Sequence, residues 1–254
     1  MAEPVYRSVI WTAKTFFATL GIRFDIVGQE YLPRVGGAVL AINHTSYLDF
    51  AFAGIPADRV GRRLVRFMAK DGVFRHPISG PLMRGMRHIP VDREAGSQAF
   101  RDAVTNLKAG ELVGVFPEAT MSRSFEIKDI KNGAVRMAAA SSTPLIPMIV
   151  FGGQRILGYG VKDFSRGKTI AITIGEPIPC PRGADFEQLT VDLRTSMQAL
   201  LDRTIDRYPP APSGVDAWWL PARRGGTAPT LEEAERIDEQ VRQEKLARRE
   251  QTGQ

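Results

Sequence analysis

The chain has 254 residues, 43% of them hydrophobic and 24% charged, enough apolar material for a sizeable core and too much for a chain disordered throughout. Its formal net charge is +6, and the single cysteine, Cys180, excludes an intramolecular disulfide framework and any cysteine-cluster metal site. Residues 231–254 hold seven acids and five bases, so residues 1–230 carry a net +8, densest at Arg59, Arg62, Arg63, Arg66, Lys70, Arg75, Arg84, Arg87 and Arg93. Such a field suits nucleic acid, an acidic membrane surface or a phosphorylated ligand, and serves equally as a plain solvated face.

In chain order, Tyr6, Val9, Ile10, Ala13, Phe16, Phe17 and Leu20 recur at helical spacing over Pro4–Leu20, with Trp11 beside them. This basic amphipathic pattern fits either a helix lying in a membrane surface or one packed on the body of the protein. No uncharged stretch reads as a membrane span, because the longest, Met137 to Gln154, is broken by Ser141, Ser142, Thr143, Pro144 and Pro147. With no secretory signal visible, the reducing cytoplasm is expected. Strands are predicted at Phe24–Val27, Ala38–Ile42, Val65–Met68, Ile89–Val91, Leu112–Phe116, Ile146–Phe151 and Thr169–Ile174. Further helices are predicted at Tyr47–Ala53, Ser97–Lys108, Gly133–Ala140, Phe186–Ile205 and Leu231–Arg249. This alternation implies an α/β fold with a mixed, mostly parallel central sheet flanked by helices. A boundary falls near Tyr208, where a Pro-rich loop begins; Trp218-Trp219-Leu220 beyond it is expected to pack back, and the last helix to be a solvated tail.

Chemistry concentrates in Ala41-Ile-Asn-His-Thr-Ser-Tyr-Leu-Asp49. His44 follows an apolar strand, and Ser46 as an N-cap puts Asp49 in the first turn of the next helix. A carboxylate so placed can fix the imidazole tautomer and stabilise the imidazolium, which makes His44 a general base. Competing chemistries lack their marks: the three histidines have no zinc spacing, and there is no Gly-x-Ser-x-Gly elbow, phosphate loop or dinucleotide fingerprint. His76 and His88 are expected to be satisfied loop or surface histidines, and Cys180 to be structural. A base without an enzyme nucleophile must activate a substrate hydroxyl.

Three more segments accompany this one: Gly-Met-Arg-His-Ile-Pro-Val-Asp-Arg at 85–93, Phe-Pro-Glu-Ala-Thr-Met-Ser at 116–122 and Pro-Leu-Ile-Pro-Met at 144–148. With Asn-His-x-Ser-x-x-Asp at 43–49 they resemble the four ordered blocks of the glycerolipid acyltransferases, specifically the 1-acylglycerol-3-phosphate acyltransferase family, over roughly residues 20–180. The resemblance implies an amphipathic membrane-associating helix over residues 1–22 and an α/β acyltransferase domain over 23–208; by composition, residues 209–254 are a Pro/Gly-rich linker and a charged helix. The resemblance also implies acyl transfer from acyl-coenzyme A or acyl carrier protein to the 2-hydroxyl of 1-acylglycerol 3-phosphate at the cytoplasmic face of the membrane, with no cofactor and no nucleic-acid partner. By position His44 matches the base and Asp49 its orienting partner. Asn43, Ser46, Lys70, Arg93, Glu118 and Thr120 match substrate-contacting positions, with Lys70 and Arg93 on the phosphate.

Two departures stand in the third block. Ala119 occupies the usual Gly position and Met121 the usual Arg position, so a loop requiring positive φ is expected to be redrawn, and Arg123 is expected to replace the missing cation. Arg87 likewise stands where the second block usually has Gly. These changes leave open another lyso-lipid acceptor, such as a lyso-ornithine lipid or a glycosylated phosphoinositide, or a non-catalytic lipid-binding relative.

Overall fold

A computed structural model describes residues 3–92, 96–210 and 216–252. Nine strands are found among them, β1 (Arg23–Val27), β2 (Ala38–Ile42), β3 (Val65–Lys70), β4 (Ile89–Val91), β5 (Leu112–Val115), β6 (Leu145–Phe151), β7 (Leu157–Gly158), β8 (Val161–Lys162) and β9 (Thr169–Ile174). The α-helices are α1 (Pro4–Thr19), α2 (Asp49–Arg59), α3 (Asp71–Arg75), α4 (Ser79–Gly85), α5 (Gly96–Lys108), α6 (Gly133–Ser141), α7 (Phe186–Arg207) and α8 (Leu231–Thr252). All seven predicted long strands form one sheet in the order β1-β9-β6-β2-β5-β3-β4; every neighbouring pair is parallel except β6 with β9. The two-residue strands β7 and β8 form a separate hairpin too short to leave an alternating pattern in the sequence.

The sheet has apolar cover on both faces, which is why β2 and β6 read as unbroken apolar runs and are buried throughout. Alternate residues go to opposite sides. Val39 and Ala41 pack with Ala103, Leu107, Met137, Leu193 and Met197, whereas Leu40 and Ile42 pack with Phe17, Phe52 and Ala53. Helices α5, α6 and α7 therefore cover one face, and α1 and α2 the other. α7 starts cleanly because Asp185 accepts hydrogen bonds from the Glu187 and Gln188 N–H groups. α2 runs on past its predicted end and through Pro56, because burial of Phe52, Ala53, Ile55 and Ala57 outweighs the proline's missing donor.

α1 docks on the body. Tyr6 and Phe17 are buried, the Tyr6 hydroxyl donates to the Val65 carbonyl at 2.6 Å, and Arg7 and Lys14 both pair with Asp58. The other side of the helix faces outward, with Trp11 70% exposed and Phe16 41%. No helix among the described residues is long and apolar enough to cross a membrane. Much of the basic cluster is structural. Arg66 is buried, its guanidinium held by Glu3, Glu111 and the Met86 carbonyl, and Arg63 donates to the carbonyls of Pro33, Gly36 and Gly110. Trp219 packs back as expected, edge-on to Phe151 and close to Tyr208, with its carbonyl accepting from Gln154.

Candidate active site

β2 lies at the middle of the sheet between β5 and β6, and the site is built where these three strands end. In parallel sheets the carboxyl ends of adjacent strands leave the crevice that receives ligands. β2 delivers His44, β5 delivers the loop 116–122, and β6 delivers the turn at Gly152-Gly153. Segments far apart in the chain thus meet because β2 has both of its hydrogen-bonding neighbours from later sequence.

The His44 Nδ1–H donates to Asp49 Oδ2 at 3.0 Å. The same oxygen accepts the N–H groups of Thr45 and Ser46, each at 2.7 Å. Asp49 thus fixes both the imidazole and the backbone that carries it, and leaves the other ring nitrogen, Nε2, outside that bond. The Asp49 side chain is fully buried, and burial pushes its carboxyl pKa up against the opposing pull of His44 and the two N–H groups. Its second oxygen, Oδ1, has no hydrogen-bond partner. The His44 side chain keeps 23% exposure and stacks on Phe116 with ring centroids 4.3 Å apart. Among the described residues no group of three or more His, Cys, Asp or Glu side chains is placed to hold a metal ion.

The third block clamps the first. Glu118 Oε1 accepts the His44 N–H at 2.9 Å and Oε2 accepts the Lys128 N–H at 3.1 Å, while the Ser122 N–H donates to the His44 carbonyl at 2.7 Å. His44 is thereby gripped through its N–H and its carbonyl by one loop. Glu118 is buried, and burial raises its pKa to about 7 despite those donors.

The expected substrate contacts divide accordingly. Asn43 is buried, with its amide oxygen accepting the Val150 N–H and its amide N–H donating to the Val150 carbonyl; this pins β2 to β6 and leaves the side chain facing no crevice. Ser46 is buried too. It does not cap α2, whose N-cap is Leu48; instead its hydroxyl donates to the Leu157 carbonyl and accepts the Leu48 N–H. Both are framework, because a buried polar group needs local partners and these have found them. Lys70 is exposed at the C-terminal end of β3, and Thr120 is exposed beside the clamp, where its hydroxyl accepts from Lys128 Nζ at 2.8 Å. Arg123 is held by Asp238 of α8 at 2.8 Å and lies over the Tyr159 ring at 3.8 Å. Arg93 falls outside the described residues.

The expected redrawing of the third-block loop is not found. Ala119 keeps φ at +63°, and Arg87, the other residue in a usual glycine position, keeps +56°. Both loops keep the left-handed turn and carry the strain of a Cβ in it. Met121 is buried, which removes its position from the ligand-facing surface. His88 is a satisfied core histidine: its Nδ1 accepts the Phe67 N–H, and burial with the nearby Arg66 lowers its pKa to about 4.

Several contributors are not marked by the motifs as functional side chains. Gly153 is one: a Cβ there would lie 2.9 Å from Ser46 Cβ and 3.1 Å from Asp49 Oδ1, so the Asp49 pocket closes only over a glycine. The Gly152-Gly153 pair after an apolar strand was the available signal. Phe116 begins the third block and supports the imidazole. Lys128, which donates to Glu118 and to Thr120, carries no motif.

The sequence profile of the family named Acyltransferase matches residues 23–151. A 1-acyl-sn-glycerol-3-phosphate acyltransferase of Bacillus subtilis is 32% identical over 165 residues, 65% of this chain and 76% of that protein. A chloroplastic 1-acyl-sn-glycerol-3-phosphate acyltransferase of Arabidopsis thaliana is 28% identical over 184 residues, covering 71% of this chain but 49% of its own length, so the chain spans about half of that plant relative. The crystal structure of the 1-acyl-sn-glycerophosphate acyltransferase of Thermotoga maritima superposes with a TM-score of 0.67 at 21% identity, covering 80% of this chain and 81% of that one, and shares the fold. Profile, relatives and sheet architecture agree with the four blocks, and this chain belongs to the acyltransferase family.

Proposed function

We propose that the protein transfers an acyl chain from acyl-coenzyme A or acyl carrier protein to the 2-hydroxyl of 1-acylglycerol 3-phosphate, with His44 as general base. The observation that carries this is the His44–Asp49 pair at the end of the central strand, its ring held by Asp49 and Phe116 and its backbone by Glu118 and Ser122. His44 Nε2 takes the proton from the acceptor hydroxyl as its oxygen forms a bond to the thioester carbonyl carbon. Asp49 stabilises the imidazolium that results. Collapse of the tetrahedral intermediate breaks the carbon–sulfur bond, and the imidazolium returns its proton to the departing thiolate. The thioester supplies the driving force, and the protein supplies position and a base.

We assign the acyl chain to the apolar groove between α1 and α2, lined by Tyr6, Ile10, Ala13, Phe50, Ile55 and Phe67. Phe67 stacks in turn with Phe116, the ring beneath His44. Two groups of cations compete for the phosphate: Lys70 at the end of β3 with Arg93 after β4 in the sequence, and Arg123 with Lys128 beside the His44 loop.

Thioester consumption by the purified protein with 1-acylglycerol 3-phosphate tests the reading. His44→Ala is expected to lower turnover by about 10²–10⁴-fold, the span of a lost general base. Full activity in that variant would remove His44 from the chemistry. The buried Met121 favours a second reading, in which the acceptor carries another headgroup, a lyso-ornithine lipid or a glycosylated phosphoinositide. A panel of lyso-lipids decides between them: turnover of either of these with none of 1-acylglycerol 3-phosphate replaces the first reading.

A further inference from the structure

The last helix is held to the body along one stripe. Leu231, Ala234, Ile237, Asp238 and Val241 are the partly or fully covered residues of its first three turns that recur at helical spacing, and Ala234 is the one fully buried residue among those described in α8. An aspartate in the middle of a docking stripe is out of place on apolar grounds, and its partners explain it. Asp238 accepts from Arg123 at 2.8 Å and from Lys128 at 3.0 Å, and all three side chains are shielded, at 27%, 21% and 15% exposure. Asp238 is one carboxylate facing two cations, and Glu118 beside Lys128 is held partly protonated near neutral pH by its burial, so positive charge stays in excess. Both cations belong to the site. Lys128 donates through its backbone to Glu118, the clamp on His44, and through Nζ to Thr120. Arg123 follows Ser122, whose N–H holds the His44 carbonyl, and lies on Tyr159, which packs edge-on to Tyr47 at 6.3 Å. Little apolar surface and a pair of ion pairs hold this part of α8, so a competing anion can release it.

We propose that Arg123 and Lys128 form an anion site beside the His44 loop in which Asp238 stands in for the acceptor's phosphate, so that a phosphorylated acceptor binds by displacing α8. The ligand class is a phosphate monoester on a glycerol backbone: its two negative charges satisfy both cations where one carboxylate cannot. Lys128 and Arg123 then supply the charge that Met121 lacks. This rests on the proposed acyltransferase reading for its effect on turnover, but the displacement itself is measurable without activity.

Two measurements on the full chain test it. In the first, trypsin cleavage after Arg236, two residues from the latch, is timed by mass spectrometry with glycerol 3-phosphate or with glycerol at matched ionic strength. Glycerol 3-phosphate is expected to speed cleavage several-fold and glycerol to leave it unchanged, and Asp238→Asn is expected to be cut at the fast rate without ligand. In the second, Asp238→Asn is expected to lower KM for 1-acylglycerol 3-phosphate by about threefold to tenfold, the factor by which a closed latch depletes the competent form, with kcat unchanged. Cleavage indifferent to glycerol 3-phosphate, or a KM that rises in Asp238→Asn, would overturn the latch and make Asp238 a positioning residue for the two cations. Failure of the wild-type protein to acylate any lyso-lipid would instead overturn the acyltransferase reading, with the cleavage assay still deciding the anion site.

Discussion

Ala119 and Glu118 are neighbours in one loop and carry opposite kinds of strain. Ala119 places a Cβ in the left-handed region at φ +63°, at an exposed position where glycine would be unstrained. The left-handed conformation costs an ordinary residue about 1–2 kcal/mol, more than the backbone freedom a glycine loses. Ala119→Gly is therefore expected to stabilise the protein by roughly 0.5–1 kcal/mol, a rise of about 1–4 °C in Tm for a chain of this length, readable by calorimetry. A lower Tm would show that the loop has adapted to alanine. Glu118 strains through its charge. Its folded pKa is raised from 4.5 to about 7, so the folded state binds the proton more tightly than the unfolded state does. The stability this adds is fully present below pH 4.5 and is lost as pH rises through about 7, a change on the order of 3 kcal/mol. Glu118→Gln cannot titrate. Urea unfolding between pH 4.5 and 7.5 is expected to show the wild type losing stability relative to this variant as pH rises, and parallel curves would mean that the carboxyl ionises normally.

At the scale of elements, the site depends on how tightly three strand ends are drawn together. α2 begins at Asp49 and the turn after β6 lies directly against it, with no room for a side chain at Gly153. Gly153→Ala adds only a methyl group, but it forces apart Ser46, Asp49 and Phe52. A displacement of about 1 Å at a catalytic group costs up to about a hundredfold in rate. Gly153→Ala is accordingly expected to lower kcat by about tenfold to a hundredfold while KM changes little, and unaltered kcat would show that the Asp49 pocket yields freely. α1 poses a different question, because its stripe serves two partners. Its inner side is committed to the body through Tyr6 and Phe17, which leaves Trp11, Phe16 and Val5 outward. Val73, Ile78 and Leu82 on and between α3 and α4 are exposed as well, and Val5 lies against Gly85 at the end of α4.

Over the whole molecule, the net charge of +6 is less available than its count suggests. Arg63 and Arg66 spend their guanidinium groups inside the fold, whereas Arg59, Arg62, Lys70, Arg75, Arg84 and Arg87 remain at the surface. Several of them lie along the same segments as the exposed apolar residues, the combination that suits an anionic bilayer surface. Sedimentation with anionic vesicles is expected to fall severalfold as salt rises from about 0.05 to about 0.5 M, because the screening length shrinks below the reach of these side chains. Trp11→Ser is expected to weaken binding roughly tenfold at any salt, the loss of one buried apolar side chain. Binding that ignores both changes would place the membrane contact elsewhere.

What the sequence determined by itself was local or periodic. The central strands β2, β5 and β6 appeared as apolar runs because two-sided burial leaves no polar alternation, and the four blocks marked the loops at strand ends because the chemistry requires particular residue types there. The His44–Asp49 pair was legible because its members are five residues apart on one turn. What only the tertiary structure decided involved partners distant in the chain. Asn43 and Ser46 resemble substrate contacts in a motif, yet they are framework, because β6 and Leu157 arrive from more than 100 residues away to satisfy them. Glu118 became a backbone clamp for the same reason, since β5 runs beside β2. Asp238 looked like one charge among many on a solvated tail, and its place between Arg123 and Lys128 follows from the return of α8 to the body. Residue type and spacing record which groups a chain has to offer, but whether a polar group is free to act depends on which neighbours folding brings to it.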